Sequence, residues 1–432
     1  MKKEVLLNQI LLISYLYNTM SLIKNSIFNL SGFIIPTVVA IPSLGILARA
    51  LGTELFGIFT LAFAVVGYAS IFDAGLTRAV IREISLYRHD DDEQVKIIST
   101  ASVSVLALGC IAGIILYFIT SYVPGFLNVS TGNVSDVQSS FKVLAITIPV
   151  FLLNQIWLAY LEGHERFAVI NIQRALSSSS IAAIPAFLVL LHNSLYYAIL
   201  GLLVGRVISL IMSFYFSREI ILRDFKLSKV TYLRLLKFGG WITISNVISP
   251  VMVYFDRFVI SHLLGANKIA YYTAPSEAVS RLLNIPTALS RALFPKLSAG
   301  NVDRKKLEKL SYLLMAACCL PILIIGIPFA EKILVVWMGN DYAGEPAKIL
   351  KILLIGFLFN AMAQIPFSKI QAIGKAHITA SLHMLELIPY LLMLYYLTVN
   401  YALTGTAIAW SLRVIVDFFA LFYLSRKLDA ER

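Results

Sequence analysis

Charge is what this chain has least of. Asp, Glu, Lys and Arg make up 14% of its 432 residues, against 59% hydrophobic residues. Cysteine is nearly missing: Cys110, Cys318 and Cys319 lie in apolar runs with no paired spacing and no nearby histidine cluster. That argues against a disulfide or a metal centre and for small packing residues. GxxxxGK[ST], HExxH and GxSxG are all absent, which excludes P-loop nucleotide hydrolysis, zinc-protease chemistry and nucleophile-elbow chemistry. No small-residue cleavage site follows the basic, apolar first 19 residues. They read as an interfacial helix, or as an extension upstream of a start at Met20, rather than as a signal peptide.

What is present is a series of apolar blocks. A hydrocarbon core about 30 Å thick takes ~20 mostly apolar residues per helix, and at a mean hydropathy of +0.81 the chain supplies about a dozen such blocks. The blocks predict spans at 27–48, 55–77, 97–120, 140–161, 172–191, 196–217, 238–261, 270–292, 312–337, 349–369, 377–398 and 402–424. The eighth and tenth carry the most polar residues. With the first end placed in the cytoplasm, 26 of the 36 lysines and arginines fall in inner segments and six in outer ones. That bias puts both termini of a multi-pass protein in the cytoplasm. The excess cations, net +12, belong to these loops rather than to nucleic-acid binding.

The longest hydrophilic stretch divides the chain into a first half (20–217), a cytoplasmic linker (218–237) and a second half (238–432), with 1–19 as an N-terminal extension. Sliding the sequence by 213 residues aligns Leu51-Gly52 with Leu264-Gly265 and Thr60 with Thr273. The same shift pairs Val66 with Val279, Leu76 with Leu289, Arg78-Ala79 with Arg291-Ala292, and Ser85 with Ser298. Six spans return the chain to its starting side, so the repeats are parallel, a transporter signature in which two bundles rock about a central site.

Ionisable residues inside spans are costly and usually face an interior, a partner or a wet cavity. Arg206, Arg257, Arg281 and Arg413 fall within spans, and Arg78 and Arg291 lie at the inner ends of the second and eighth. These six are the candidate substrate-binding cations, because guanidinium groups grip phosphate oxygens bidentately. Asp73, Asp256, Glu277, Glu386 and Asp417 are the candidate coupling carboxylates. Arg413–Asp417 and Glu277–Arg281 are four apart and His383–Glu386 three apart, each pair on one helical face. Asp256 and the adjacent Arg257 point about 100° apart and form no simple face pair. Arg257 could also snorkel outward, and Arg78 and Arg291 could serve only as topology anchors. Pro36, Pro42, Pro250, Pro275, Pro286, Pro321 and Pro328 punctuate the spans as kinks or bending points.

The motifs MSLIKNSIFNLSGFIIP (from Met20), ARALGTELFGIFTLA (from Ala48), FDAGLTRAVIREIS (from Phe72), LEGHERF (from Leu161), LLKFGGWITISNVISPVMVYFDRFVIS (from Leu235) and ALFPKLS (from Ala292) occur in this order. By their order and spacing the chain resembles bacterial polysaccharide (O-antigen, Wzx-type) flippases of the multidrug/oligosaccharidyl-lipid/polysaccharide exporter superfamily. The resemblance covers nearly everything after Met20. It implies an all-α membrane fold of 12 transmembrane helices in two six-helix lobes, like the multidrug exporters, around a cationic cavity. It implies carriage of an undecaprenyl-diphosphate-linked oligosaccharide from the cytoplasmic to the periplasmic leaflet by alternating access, driven by a proton or sodium gradient. A polysaccharide polymerase and a chain-length regulator are the expected partners, with no cofactor, no metal and no catalytic residue. Three alternatives stay open: a cation-coupled multidrug antiporter, in which cavity carboxylates would outnumber arginines; a peptidoglycan-precursor flippase, which usually has two more C-terminal spans; and a glycan polymerase, which would show a larger outer loop.

Overall fold

The computed structural model describes residues 2–287, 289–290, 304–373 and 375–430, with side chains described except in 2–34, 70, 240–251, 253, 304–307, 372 and 376. Arg291, one of the six candidate cations, lies outside the described residues.

The helices are α1 (Lys2–Ala69), α2 (Leu76–Leu86), α3 (Asp91–Ile119), α4 (Val123–Phe126), α5 (Val134–Gly163), α6 (Phe167–Leu191) and α7 (Leu195–Ile221) in the first half. The second half holds α8 (Lys229–Leu264), α9 (Ala266–Leu282), α10 (Arg304–Gly326), α11 (Ala330–Met338), α12 (Glu345–Ala372) and α13 (Ala376–Ala430). The protein has the all-α membrane architecture that the apolar blocks predict, with no strand among the described residues. Backbone groups in lipid find no water, so helices that satisfy their own hydrogen bonds are the natural way for such blocks to cross.

Among the described residues eight helices are long and apolar enough to span a bilayer. Two of these, Ile35–Asp73 and His377–Ala430, hold 39 and 54 residues, or ~58 and ~80 Å at 1.5 Å per residue. Each exceeds one bilayer thickness and overlaps two expected spans. The first breaks at Gly52 (φ 71°) and the second at Ala402 (φ 48°), both within or next to the expected gaps. At the second break the chain folds back, because Thr398 and Thr406 hydroxyls meet at 2.9 Å, where a straight helix would hold them ~12 Å apart.

Three expectations need correcting. The second span was expected to reach residue 77, but α1 stops at Ala69 and a 3₁₀ turn, Ser70–Asp73, follows. Ala74 (φ 51°) and Gly75 (φ 72°) then reverse the chain, and Asp73 Oδ1 accepts from the Thr77 amide at 2.9 Å to start α2. The ninth span is two helices, because the chain leaves α10 at Gly326 and re-enters α11 only after Pro328. Of the three cysteines only Cys319 is buried, while Cys110 and Cys318 are exposed on helix surfaces. The eighth expected span corresponds to the 17-residue α9, which is not among the eight apolar spanning helices. In the linker, only 222–228 is non-helical: Ser228 caps α8, its hydroxyl accepting from the Thr231 amide at 3.2 Å.

One large apolar cluster runs through both halves, including Leu47, Phe56 and Phe59 of α1, Tyr272 of α9 and Phe357 of α12. Outside it α3 turns Ile114 and Phe118 outward, Phe118 at 72% exposure, a lipid-facing surface in a spanning helix. The halves approach closely at Gly57, where a Cβ would lie 2.9 Å from Ile269 Cβ and 3.0 Å from the Ala266 carbonyl. Small residues at helix crossings are how membrane helices gain van der Waals contact without a solvent-driven term.

Candidate functional site

The seam between the halves is closed at one end by hydrogen bonds to backbone carbonyls. Arg49 donates to Val336 O, Trp337 Nε1 to Ile41 O at 2.6 Å, and Asn128 Nδ2 to His262 O at 3.0 Å. At another level of the bundle, Arg234 at the start of α8 ion-pairs with Glu83 and Glu93, both at 2.7 Å. The Cβ position of Gly75 lies 2.1 Å from Gly239 O, so only glycine allows the loop before α2 to press on α8.

Between these contacts lies a hollow of about 220 Å³ lined by α1, α6, α7 and α9. Its walls are mostly apolar, with Leu44, Leu47, Phe59, Phe63 and Ile181. Two cations reach it from opposite halves, Arg206 of α7 and Arg281 of α9. The guanidinium of Arg206 sits 4.7 Å over the Phe151 ring, and its Nε has no hydrogen-bond partner. Arg281 Nε is equally unpartnered, while its Nη2 approaches Glu277 at 3.4 Å, the i,i+4 pair expected from the spacing. Both arginines therefore keep donors directed at neither water nor a carboxylate.

The other candidates sit elsewhere. Arg257 does not snorkel outward: it is 4% exposed, donates to Glu277 at 2.8 Å and to the Thr60 carbonyl across the seam at 3.3 Å, and lies over the Tyr254 ring. Glu277 thus holds two arginines at once. Asp256 accepts from the Arg257 amide at 2.8 Å and from Tyr272 Oη at 2.6 Å; as expected, it makes no side-chain pair with its neighbour. Arg413 does not pair with Asp417. Its guanidinium lies 5.4 Å over Tyr390, and Asp417 faces His383 Nε2 at 3.5 Å instead. Glu386 shares the His383 face. Arg78 is exposed on α2, and Asp73 is spent on capping that helix; neither lines the hollow.

Ionisable residues alone were a partial guide. The rings beneath the arginines, Phe151, Tyr254 and Tyr390, are aromatic positions that an apolar chain offers everywhere, so nothing in the sequence marks them. Nor did it mark the buried polar chain in the first half, where Ser213 donates to Asn154 at 2.7 Å and Gln173 donates to Ser213 at 2.9 Å and to Ser209 at 3.2 Å.

Residues 22–301 match the family model described as polysaccharide biosynthesis protein. A protein of Shigella flexneri described as "Putative O-antigen transporter" is 49% identical over 414 residues, covering 94% of this chain and 98% of its own. Two solved structures share the fold at low identity. One is the inward-facing conformation of a multidrug resistance MATE family transporter of the MOP superfamily, with TM-score 0.77, 17% identity, and coverage of 93% of this chain and 98% of that one. The other is the lipid II flippase MurJ in an inward closed conformation, with TM-score 0.78, 16% identity, and coverage of 93% and 87%.

Proposed function

The chain belongs to the polysaccharide biosynthesis protein family, and from that premise we propose that it carries an undecaprenyl-diphosphate-linked oligosaccharide from the cytoplasmic to the periplasmic leaflet of a bacterial inner membrane. It is a membrane transporter and not an enzyme, and its relatives tie it to O-antigen and polysaccharide biosynthesis. The observation that carries the finer reading is the hollow at the seam with Arg206 on one wall and Arg281 on the other. A diphosphate needs cationic donors to replace its water, and two guanidiniums from opposite halves supply them.

The mostly apolar lining lowers the local dielectric around those charges, which strengthens the grip on phosphate. It also suits the first carbons of a polyprenyl tail, whose remainder stays in the bilayer. At about 220 Å³ the hollow is smaller than the ~300–1,000 Å³ of ordinary ligand pockets, so an oligosaccharide enters only when the halves part. Six spans per lobe, a linker over 218–237 and a rocking motion between 20–217 and 238–432 give that opening. Arg206 and Arg281 are the first cations to meet the headgroup. Arg257 and Arg413, held by Glu277 and over Tyr390, join as the halves move, and Arg78 serves the cytoplasmic mouth, the role that its place in the sequence also gives Arg291. An ion gradient, carried by protons or sodium, drives the cycle; the polymerase and chain-length regulator act on the product outside.

Deleting the gene from its host and locating the lipid-linked repeat units tests this. The proposal predicts that single repeat units accumulate and stay on the cytoplasmic leaflet, and that wild-type protein restores their export while Arg206→Gln, Arg281→Gln double-variant protein at equal abundance does not. Repeat units reaching the periplasm normally in the deletion strain would contradict it.

A further inference from the structure

The segment that joins the halves turns apolar and basic side chains away from the protein. The apolar span Leu195–Ile221 ends directly before it, so residues 222–228 leave the bundle at the edge of the membrane, and α8 starts at Lys229. Leu222, Phe225 and Leu227 of this loop are exposed, as are Val230, Tyr232 and Leu233 in the first turns of α8, Val230 at 74%. Val230, Leu233 and Lys237 are spaced three and four apart and share one face of α8. The buried Thr231 and Leu235 lie on the other side of that helix.

The segment is fastened from its inner side. The Lys226 amide donates to Ser99 Oγ at 3.5 Å and the Ser228 amide to Thr100 Oγ1 at 3.1 Å, both on α3. Arg223 pairs with Asp91 at 2.6 Å and Lys226 with Asp92 at 2.5 Å, and Arg234 is taken by Glu83 and Glu93. Arg218, Lys229 and Lys237 differ: each is exposed, and none meets a carboxylate among the described residues. Arg218 lies 4.6 Å over the ring of Tyr215, which is itself exposed. Over 218–237 six cations stand against two acids, Glu219 and Asp224. The inward cations and the backbone thus hold in place a face whose outward side chains are apolar, aromatic and positive.

We propose that residues 218–237 form an interfacial platform that binds the phosphate headgroups of anionic phospholipids, in the leaflet that the charge bias makes cytoplasmic. Phe225, Leu227, Val230 and Leu233 sink into the boundary of the acyl chains, as apolar faces at a bilayer surface do. Arg218, Lys229 and Lys237 lay their stems along that boundary and place their charged ends on the phosphates. Charge complementarity selects this occupant, because a basic segment beside a span is drawn to anionic lipid. The position directly after a span favours lipid over a protein partner, since it sets the exposed apolar side chains beside the bilayer. The contact is independent of the cargo that crosses between the halves.

The test uses purified full-length protein in nanodiscs of phosphatidylcholine mixed with phosphatidylglycerol. Phe225→Trp introduces a reporter, and its fluorescence is compared with wild type under quenching by lipid brominated near the headgroup and by aqueous acrylamide. The added tryptophan is expected to be quenched by the brominated lipid and shielded from acrylamide. Native mass spectrometry of protein released from the mixed bilayer then counts the phosphatidylglycerol retained. Retention is expected to fall at least about fivefold in the Arg218→Gln, Lys229→Gln, Lys237→Gln triple variant. It should stay unchanged in Lys332→Gln, Lys348→Gln, whose exposed cations lie on α11 and α12. Should the triple variant not fold, Lys229→Gln, Lys237→Gln is read the same way. A tryptophan at 225 that acrylamide reaches and brominated lipid does not, or equal phosphatidylglycerol retention by wild type and the variant, overturns the proposal. So does shielding of that tryptophan in native membranes that is lost in nanodiscs, which would assign the face to a protein.

Discussion

Thr60 Oγ1 and Thr273 Oγ1 meet at 3.4 Å across the seam, and they occupy the same position of the internal repeat, 213 residues apart. The equivalent glycines, Gly52 and Gly265, both take positive φ, at 71° and 95°, and the equivalent valines, Val66 and Val279, are both buried. The repeat therefore brings its own equivalent residues face to face, α1 against α9. Gly57, one turn before Thr60, lets the backbones touch. Gly57→Leu is expected to overpack this crossing by about 1–3 kcal/mol and to reduce export. Thermal unfolding in detergent together with surface-polysaccharide yield checks both.

Arg206 and Arg281 are expected to matter through charge rather than packing. A charge-assisted hydrogen bond is worth about 1.5–3 kcal/mol, so Arg281→Gln should lower export about tenfold or more at unchanged membrane abundance, and Arg281→Lys less. Equal export by wild type and Arg281→Gln would remove Arg281 from the site.

Glu277 has a structural signature that separates it from the cavity arginines. It balances the buried Arg257 as well as Arg281. Glu277→Gln takes away the carboxylate that ion-pairs with the buried Arg257, a change that costs up to about 3–5 kcal/mol when a buried pair is broken. Pairing it with Arg257→Met should recover a large part of that loss. Unfolding curves of the two single variants and the double variant decide it; additive losses would mean that the two residues are not a unit.

Arg234 links α8 to α2 and α3 through Glu83 and Glu93. Glu83 is 1% exposed and is also held by Arg82 at 2.7 Å, so Arg234→Ala weakens but does not strand it. The expected loss is about 1.5–3 kcal/mol, read by thermal unfolding, with less effect at high salt than from an exposed pair because Glu83 is buried.

His164, in the loop after α5, gives a pH dependence. Burial, with Arg166 and Arg88 nearby, holds its imidazole below the ordinary 6.5, and its Nε2 meets Gln94 Oε1 at 3.0 Å. The folded state thus binds this proton less readily than the unfolded chain. Its contribution to stability is complete above the unfolded value and is lost as pH falls through the lower folded value. Melting temperature measured from about pH 8 to 5 should fall more steeply for wild type than for His164→Gln.

Much of this was legible because the bilayer imposes simple rules. Apolar length gave the helices, and a repeat offset gave the seam pair Thr60–Thr273. What the sequence hid followed from local geometry. The second span ends early because Ala74 and Gly75 turn left-handed against Gly239, a packing contact 164 residues away. Arg257 looked like a cavity residue by its position in a span, yet helix rotation points it at Glu277. Arg413 and Asp417 share a face by spacing, but Tyr390 and His383 offer each a different partner. The pairing of Arg206 with Arg281 across the hollow needed the two halves assembled.

The most direct measurement is equilibrium binding of a purified undecaprenyl-diphosphate-linked repeat unit to the protein in nanodiscs, with inorganic diphosphate as competitor. The account predicts saturable binding that diphosphate displaces and that weakens at least tenfold in the Arg206→Gln, Arg281→Gln double variant, while the fold is retained. Binding of equal strength in that variant, or binding indifferent to diphosphate, would contradict it.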